Sequence, residues 1–350
     1  VLPTVGVVLG SGVLGMTLGC VNLKIGSLMI FPGKILAVFY EKLCMLAGNL
    51  PFGTWIAGQP EIWQIVAYYA VLASAVLLLT YRKKKSSTSD KEKDKVQEKN
   101  IAGNLRVRKY LSLFLICTAL FLISWRKTES FSITCLDVGQ GDGILLENDT
   151  GTTYFIDGGS TSVKNLEQYR ITPCLKSKGI AKIDYAIVTH MDQDHISGLI
   201  ELLEKSNEPG AIIIETLVLP DTMLKDEAYL EMIELANLKN VHVMYLKKGD
   251  KIKDGELSLL CMHPYEGFQT EERNDYSTVL LLEYHKFSML FTGDVANEGE
   301  KALIDNPVLP KCDVYKVAHH GSKYTIFVGS SGSNVCYCIC RRGKSIWTST

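Results

Sequence analysis

The sequence predicts α-helical membrane segments followed by a soluble α/β or α+β domain. Three observations predict it. Long apolar runs almost free of charge fill the first 81 residues, and an abrupt basic and polar stretch follows. From Phe131 onward, β-branched runs alternate with Gly/Asp/Asn turns and two helical patterns. At 350 residues the chain has room for about two domains.

Residues 2–21, 25–46 and 62–81 each approach the roughly 20 apolar residues that a spanning helix needs. The glycines and Pro32 in the first two leave room for broken or re-entrant helices, and buried core helices of a soluble domain are the alternative reading. In LPFGTWIAGQPEIW, between the second and third runs, Pro51, Gly53, Gly58 and Pro60 break helix, while Trp55 and Trp63 suit an interfacial belt. The chain opens at Val1 inside an apolar run with no basic region before it, which reads as an internal fragment and not as a signal peptide.

Residues 82–100, RKKKSSTSDKEKDKVQEKN, have almost no apolar side chains and read as a disordered, solvated linker. Across 82–109, 11 basic residues face 4 acidic ones, a net charge of +7 that favours the cytoplasmic side. Residues 110–125 form a short, uncharged apolar run bounded by Lys109 and by Arg126 and Lys127. If this run spans a bilayer, everything after it lies outside the cytoplasm; a helix packed on the downstream domain is the other reading.

The soluble part, residues 130–350, is acidic, with 21 Lys/Arg against 31 Asp/Glu, a net of −10. Such a domain is a poor generic nucleic-acid binder, so a polyanionic substrate needs local cations, which bound metal could supply. Strand-like runs include FSITCLDV, TTYFIDG, IDYAIVT, ELSLLCM, STVLLLEY, FSMLFTG and DVYKVAH; helical patterns lie near 199–205 and 228–238, and a hairpin closes at His285 and Lys286. The ten cysteines are scattered, and Cys336, Cys338 and Cys340 stand at spacing two, which alternates faces in a strand. With no CxxC pairs, neither a disulfide framework nor a zinc ribbon is indicated.

The chemistry concentrates in THMDQDHISG. After the apolar strand IDYAIVT come His190, Asp192 and Asp194 at alternate positions, then His195, then ISGLIELLEK ready to form a helix. Ligands held between a buried strand end and a helix start are rigid, and imidazole with carboxylate suits borderline or hard divalent ions such as zinc or manganese. Further donors stand at other strand ends: Asp294 in FTGD, and His319 and His320 in VAHHGS. Asp157 in FIDGG reads as an acid that orients a ligand rather than binding metal itself. The glycine-rich DVGQGD, Asp137 to Asp142, is either a tight hairpin or a loop whose Gln140 and Asp142 line an active-site floor.

Together, THMDQDHISG, LDVGQGDGILLE, YFIDGGS, FTGD and KVAHHGS resemble the metallo-β-lactamase-type domain of the ComEC family of bacterial DNA-uptake channel proteins. PFGTWIAGQPEIWQIVAYYAVL resembles the end of that family's membrane-embedded competence domain, and the resemblance runs to about Lys323. It implies the end of a transmembrane competence domain over 1–81, a charged cytoplasmic linker over 82–109, a transmembrane helix over 110–125, and a metallo-β-lactamase-like αββα sandwich over 130–323. It also implies two divalent ions, manganese or zinc with magnesium as a further option. His190 and Asp192 would face the first ion, Asp194 and His195 the second, Asp294 would bridge, and one of His319 and His320 would complete the second site. Asp192 stands where the wider superfamily has a histidine, which hardens the site towards manganese or magnesium. Asp194 would position or deprotonate the attacking water. Asn274 and Ser277, in NDYSTVL, either orient substrate or a metal-bound water or open the hairpin strand with an Asx-turn.

The expected activity is metal-assisted hydrolysis of DNA phosphodiesters outside the cytoplasm, on a multi-pass protein of the bacterial cell membrane. Expected partners are DNA, membrane lipid and other DNA-uptake components, with room for a homo-oligomer. A non-catalytic DNA-guiding transport component and a membrane-tethered hydrolase of another phosphoester are the alternatives. Past AHHGS the family continues with helix, strand and a further histidine, whereas this chain runs KYTIFVGSSGSNVCYCICRRGKSIWTST. That switch reads as an aberrant or disordered tail over 324–350, as from a frameshift, leaving the domain C-terminally incomplete and its activity in doubt.

Overall fold

The computed structural model describes residues 2–50, 53–80, 91–126, 130–305, 312–321 and 336–337. The linker expectation over 82–90 and most of the tail expectation over 324–350 fall outside them. The chain divides into two units, residues 1–55 with 207–211, and the remainder.

In the first unit α1 (Leu2–Gly19) and α2 (Leu23–Gly48) form an antiparallel hairpin, with Asn22 capping α2 through its Oδ1, which accepts from the Lys24 amide at 2.9 Å. Of the broken and unbroken helices for which Pro32 leaves room, the structure has the unbroken one: α2 runs through Pro32. A side chain on Gly26 would collide with the Gly19 backbone and one on Gly33 with the Ser11 side chain, so small residues set the approach of the two helices.

The second unit opens with α3 (Ile62–Thr80) and α4 (Lys91–Ser124). The stretch from Lys91 expected to be disordered is helical instead. Its Lys, Glu and Gln are good helix formers, and the apolar half that follows supplies a helix on which they propagate. The two helices run antiparallel, tied by buried Gln64, whose Nε2 donates to the carbonyls of Leu122 (2.8 Å) and Trp125 (2.6 Å) at the end of α4. Helix α2, helix α3 and the Val107–Ser124 part of α4 are long and apolar enough to cross a membrane, and Thr4–Gly19 is a shorter apolar helix.

Among the described residues, twelve strands follow in two sheets. In the first, β1 (Ser132–Cys135), β2 (Ile144–Glu147) and β3 (Thr153–Ile156) pair antiparallel, and β4 (Lys182–Ile187), β5 (Ile213–Pro220) and β6 (His242–Leu246) extend it in parallel. In the second, β7 (Lys251–Asp254), β8 (Leu257–His263), β9 (Val279–Tyr284) and β10 (Phe287–Phe291) are antiparallel, then β11 (Val314–Lys316) and β12 (Cys336–Tyr337) are parallel. The hairpin turn falls at His285 and Lys286 as expected, and two residues of the expected tail form the edge strand.

Side-chain alternation builds three apolar layers. Ile144, Leu146, Ile156, Ile187 and Val218 of one sheet meet Leu259, Leu280, Leu282 and Phe291 of the other. The opposite face of the first sheet, with Leu145, Phe155, Ala186 and Leu217, packs on α5 (Thr172–Ser177), α6 (Gln193–Lys205) and α7 (Glu227–Leu238). Behind the second sheet, Leu281, Leu290 and Tyr315 bury Leu303 of α8 (Asn297–Ile304). The result is helix, sheet, sheet, helix: an αββα sandwich following long apolar helices. Cys20, Cys44, Cys117, Cys135, Cys174, Cys261 and Cys312 are all unbridged.

Candidate metal centre

Parallel strands leave their carboxyl ends on one rim of the sandwich, and there the loops after β3, β4, β10 and β11 converge. Asp157 follows β3 with φ +57°, a conformation that non-glycine residues adopt rarely and that marks strain kept for a purpose. Its carboxylate accepts from the Thr189 amide (2.8 Å), the Thr189 hydroxyl (2.9 Å) and His195 Nδ1 (2.9 Å). Helix α6 begins at Gln193, three residues before the ISGLIELLEK segment expected to be helical, with Asp192 as its N-cap; Asp194 and His195 therefore stand in its first turn rather than in a loop. A Cβ on Gly159 would run into the His195 backbone, so the FIDGG loop can pass this close only with glycine.

His190 and His195 are buried with ring centroids 4.1 Å apart. His195 Nε2 lies 3.3 Å from Asp294 Oδ2. Burial disfavours a charged His195, but Asp157 and Asp294 on its two sides outweigh this and hold its pKa well above the usual histidine range. Burial, reinforced by the neighbouring His195, pushes His190 the other way, leaving it neutral. Its buried Nε2 makes no hydrogen bond among the described residues, with Asp192 Oδ2 3.6 Å away. Asp192 is half-buried; the neighbouring His190 imidazole, with Arg273 Nη1 at 3.3 Å, lowers its pKa to about 2.

This donor set fits a divalent metal. One ligand atom each from His190, His195 and Asp294 lie within 4.8 Å of one another, all three residues buried, and the buried Nε2 of His190 has no hydrogen-bond partner among the described residues. Asp142, Asp157 and His195 form a second such group.

Of the other expected residues, Asp142 is fully buried at 3.8 Å from His195 Nδ1, and its amide donates to the Asp194 carbonyl at 3.1 Å. Asp137 and Gln140 are exposed, so the loop between β1 and β2 is a hairpin connection that delivers Asp142 alone to the cluster. Asp194 is half-buried and belongs to neither three-donor group. Ser277 is buried, its hydroxyl accepting from the Asp294 amide at 3.3 Å, while Asn274 opens a 3₁₀ turn whose carbonyl receives the Ser277 amide. His319 is exposed at φ +50° in the turn Ala318–Gly321 and joins neither group; the side chain of His320 lies outside the described residues.

Two residues went unread. Lys316, at the end of β11, is buried with Nζ bonded to Asp142 Oδ2 and donating to the Gly293 carbonyl at 2.8 Å, with Asp294 Oδ1 at 3.6 Å. Burial opposes its charge, but Asp142 and Asp294 outweigh that and raise its pKa above the usual lysine range. A lysine inside the apolar strand DVYKVA was the available signal. Arg273, partly exposed, spans Asp192 and Asp226 (Nε to Oδ2, 2.5 Å) beside a cleft lined by His190, Met191, Tyr229 and Tyr276.

The chain is a distant homologue of ComE operon protein 3 of Bacillus subtilis, 31% identical over 62% of this chain and 28% of that one. It is also a distant homologue of Recombination protein 2 of Haemophilus influenzae, 26% identical over 60% of this chain and 24% of that one. It thus spans about a quarter of the length of these relatives. Among solved structures, the metallo-beta-lactamase fold protein YhfI of Bacillus subtilis aligns with a TM-score of 0.34 at 13% identity, covering 53% of this chain and 70% of that one. Residues 136–326, more than half of the chain, match the family model described as Metallo-beta-lactamase superfamily, and it is to this superfamily that the chain belongs.

Proposed function

We propose that the chain is part of a membrane channel for DNA uptake whose sandwich domain hydrolyses DNA phosphodiesters with divalent metal, manganese or zinc. The observation that carries the chemistry is the buried His190, His195 and Asp294 cluster at the converging strand ends. The homology to ComE operon protein 3 and the three long apolar helices support the setting in the membrane. A bound ion would polarise a phosphoryl oxygen and make hydroxide available near neutral pH.

The chain's own residues do the rest. His190 presents a neutral nitrogen, Asp157 fixes the ring of His195, and Asp294 contributes negative charge from the second sheet. Asp194, in the first turn of α6, is the candidate to position the attacking water. Arg273 at the cleft offers a guanidinium to a phosphate in an otherwise acidic domain. The net charge of +7 over 82–109 supports a cytoplasmic position for that stretch and an extracytoplasmic sandwich.

The test is cleavage of single- and double-stranded DNA by the full chain in detergent with manganese. Activity should vanish in His190→Ala and fall at least 100-fold in Asp194→Ala. Cleavage untouched by both substitutions would sink the nuclease reading, and turnover of phosphomonoesters in place of DNA would redirect it to another substrate.

A further inference from the structure

We propose that the ammonium of Lys316 takes the place of a second metal ion, so that the centre holds one divalent cation between His190, His195 and Asp294. This rests on the reading of that cluster as a metal site. Three oxygens gather on Lys316 Nζ: Asp142 Oδ2, the Gly293 carbonyl at 2.8 Å and Asp294 Oδ1 at 3.6 Å. A cation in a buried cage of two carboxylates and a carbonyl has the surroundings that a hard metal ion would seek. Here the chain supplies that cation itself.

Asp294 divides its two oxygens accordingly. Oδ2 faces His195 Nε2 at 3.3 Å, on the side of the histidine cluster, and Oδ1 faces Lys316. The bridging carboxylate expected between two metals therefore lies between one metal locus and an ammonium. The other three-donor group, Asp142, Asp157 and His195, is already committed. Its His195 donor is Nδ1, which is bonded to Asp157 at 2.9 Å, so Nε2 is the nitrogen left to ligate, and its Asp142 is held by Lys316. A dication added to that group would have to take the same Asp142 oxygen that Lys316 Nζ already holds, at closer range to the ammonium than one seated on Asp294 Oδ2. Lys316 also offsets part of the negative charge of Asp142 and Asp294 before any metal arrives, which eases their repulsion in the folded chain.

The experiment is metal counting. The full chain in detergent is stripped with chelator, equilibrated with excess manganese and freed of unbound ion, then measured by mass spectrometry of the metal and by electron paramagnetic resonance. One manganese per chain with the spectrum of an isolated ion is expected. Lys316→Ser should take up nearly two with a spin-coupled signal, and Lys316→Arg should stay at one. Two coupled ions in the unsubstituted chain overturn the proposal, as does a folded Lys316→Ser that still holds one. If Lys316→Ser does not fold, the counts for the unsubstituted chain and Lys316→Arg still decide. His190→Ala separates the two readings: uptake that it leaves unchanged refutes the metal cluster itself, whereas uptake that it abolishes leaves only the number of ions at issue.

Discussion

Asp157 holds His195 from behind: its Oδ2 takes the Nδ1 hydrogen bond at 2.9 Å, so the opposite nitrogen faces His190 and Asp294. Because a ligand's tautomer is set by what its far nitrogen bonds, Asp157→Ala should lower manganese affinity by roughly 10- to 100-fold. Calorimetric titration of the stripped chain checks this. An unchanged affinity would mean that the ring is fixed by packing alone.

Gly293 sits at φ +52° between Phe291 and Asp294, and an added Cβ would lie 2.8 Å from the Thr189 Cβ and 3.1 Å from that of Ser277. Gly293→Ala combines backbone strain with a clash against the residue that precedes His190, and should cost about 2 kcal/mol or more. A lowered unfolding midpoint together with weakened manganese binding is the expected result. Loss of one without the other would uncouple this turn from the metal cluster.

Burial lowers the pKa of His263 to about 4, while its Nε2 stays 2.7 Å from the Asp275 carbonyl. Between the unfolded value of 6.5 and about 4, the unfolded chain takes up a proton that the folded chain refuses. Stability present above pH 6.5 is therefore lost as the pH falls through this window, by on the order of 3 kcal/mol. Denaturation midpoints at pH 7 and pH 4.5 should differ less in His263→Gln than in the unsubstituted chain. Equal pH dependence in both would exclude His263 as a source of the loss.

Gln64 satisfies the carbonyls of Leu122 and Trp125 at the end of α4 and accepts from Arg126 Nη1 at 3.2 Å. Gln64→Leu leaves those groups without the amide, and the pairing of α3 with α4 should weaken by about 1 kcal/mol. A downward shift of the midpoint in a dodecyl sulfate titration measures it, and an unmoved midpoint would show that apolar packing alone joins the helices.

Local pattern made much of this legible. The buried strand of IDYAIVT, the two-residue hairpin at His285 and the strand-end positions of His190, Asp157 and Asp294 all follow from periodicity and turn chemistry, which are short-range properties. Lys316 escaped because its meaning depends on Asp142 and Asp294, which are distant in sequence, and a lone lysine in a strand carries no sign of its partners. The Lys91 end of α4 escaped for the opposite reason: its polar composition suggested solvation, while the apolar helix next to it decided the backbone. His319 fits the spacing of a ligand; it is exposed at φ +50° and joins neither three-donor group among the described residues.

The cluster draws Asp142, Asp157, His190 and His195 from the first sheet and its loops, and Asp294 and Lys316 from the second. The group of His190, His195 and Asp294 needs both sheets. A ribosome extruding this chain therefore releases no complete His190, His195 and Asp294 cluster until β10 has emerged and docked, more than 100 residues after His190. The order of synthesis thus leaves the three-donor cluster unmade until the second sheet stands against the first.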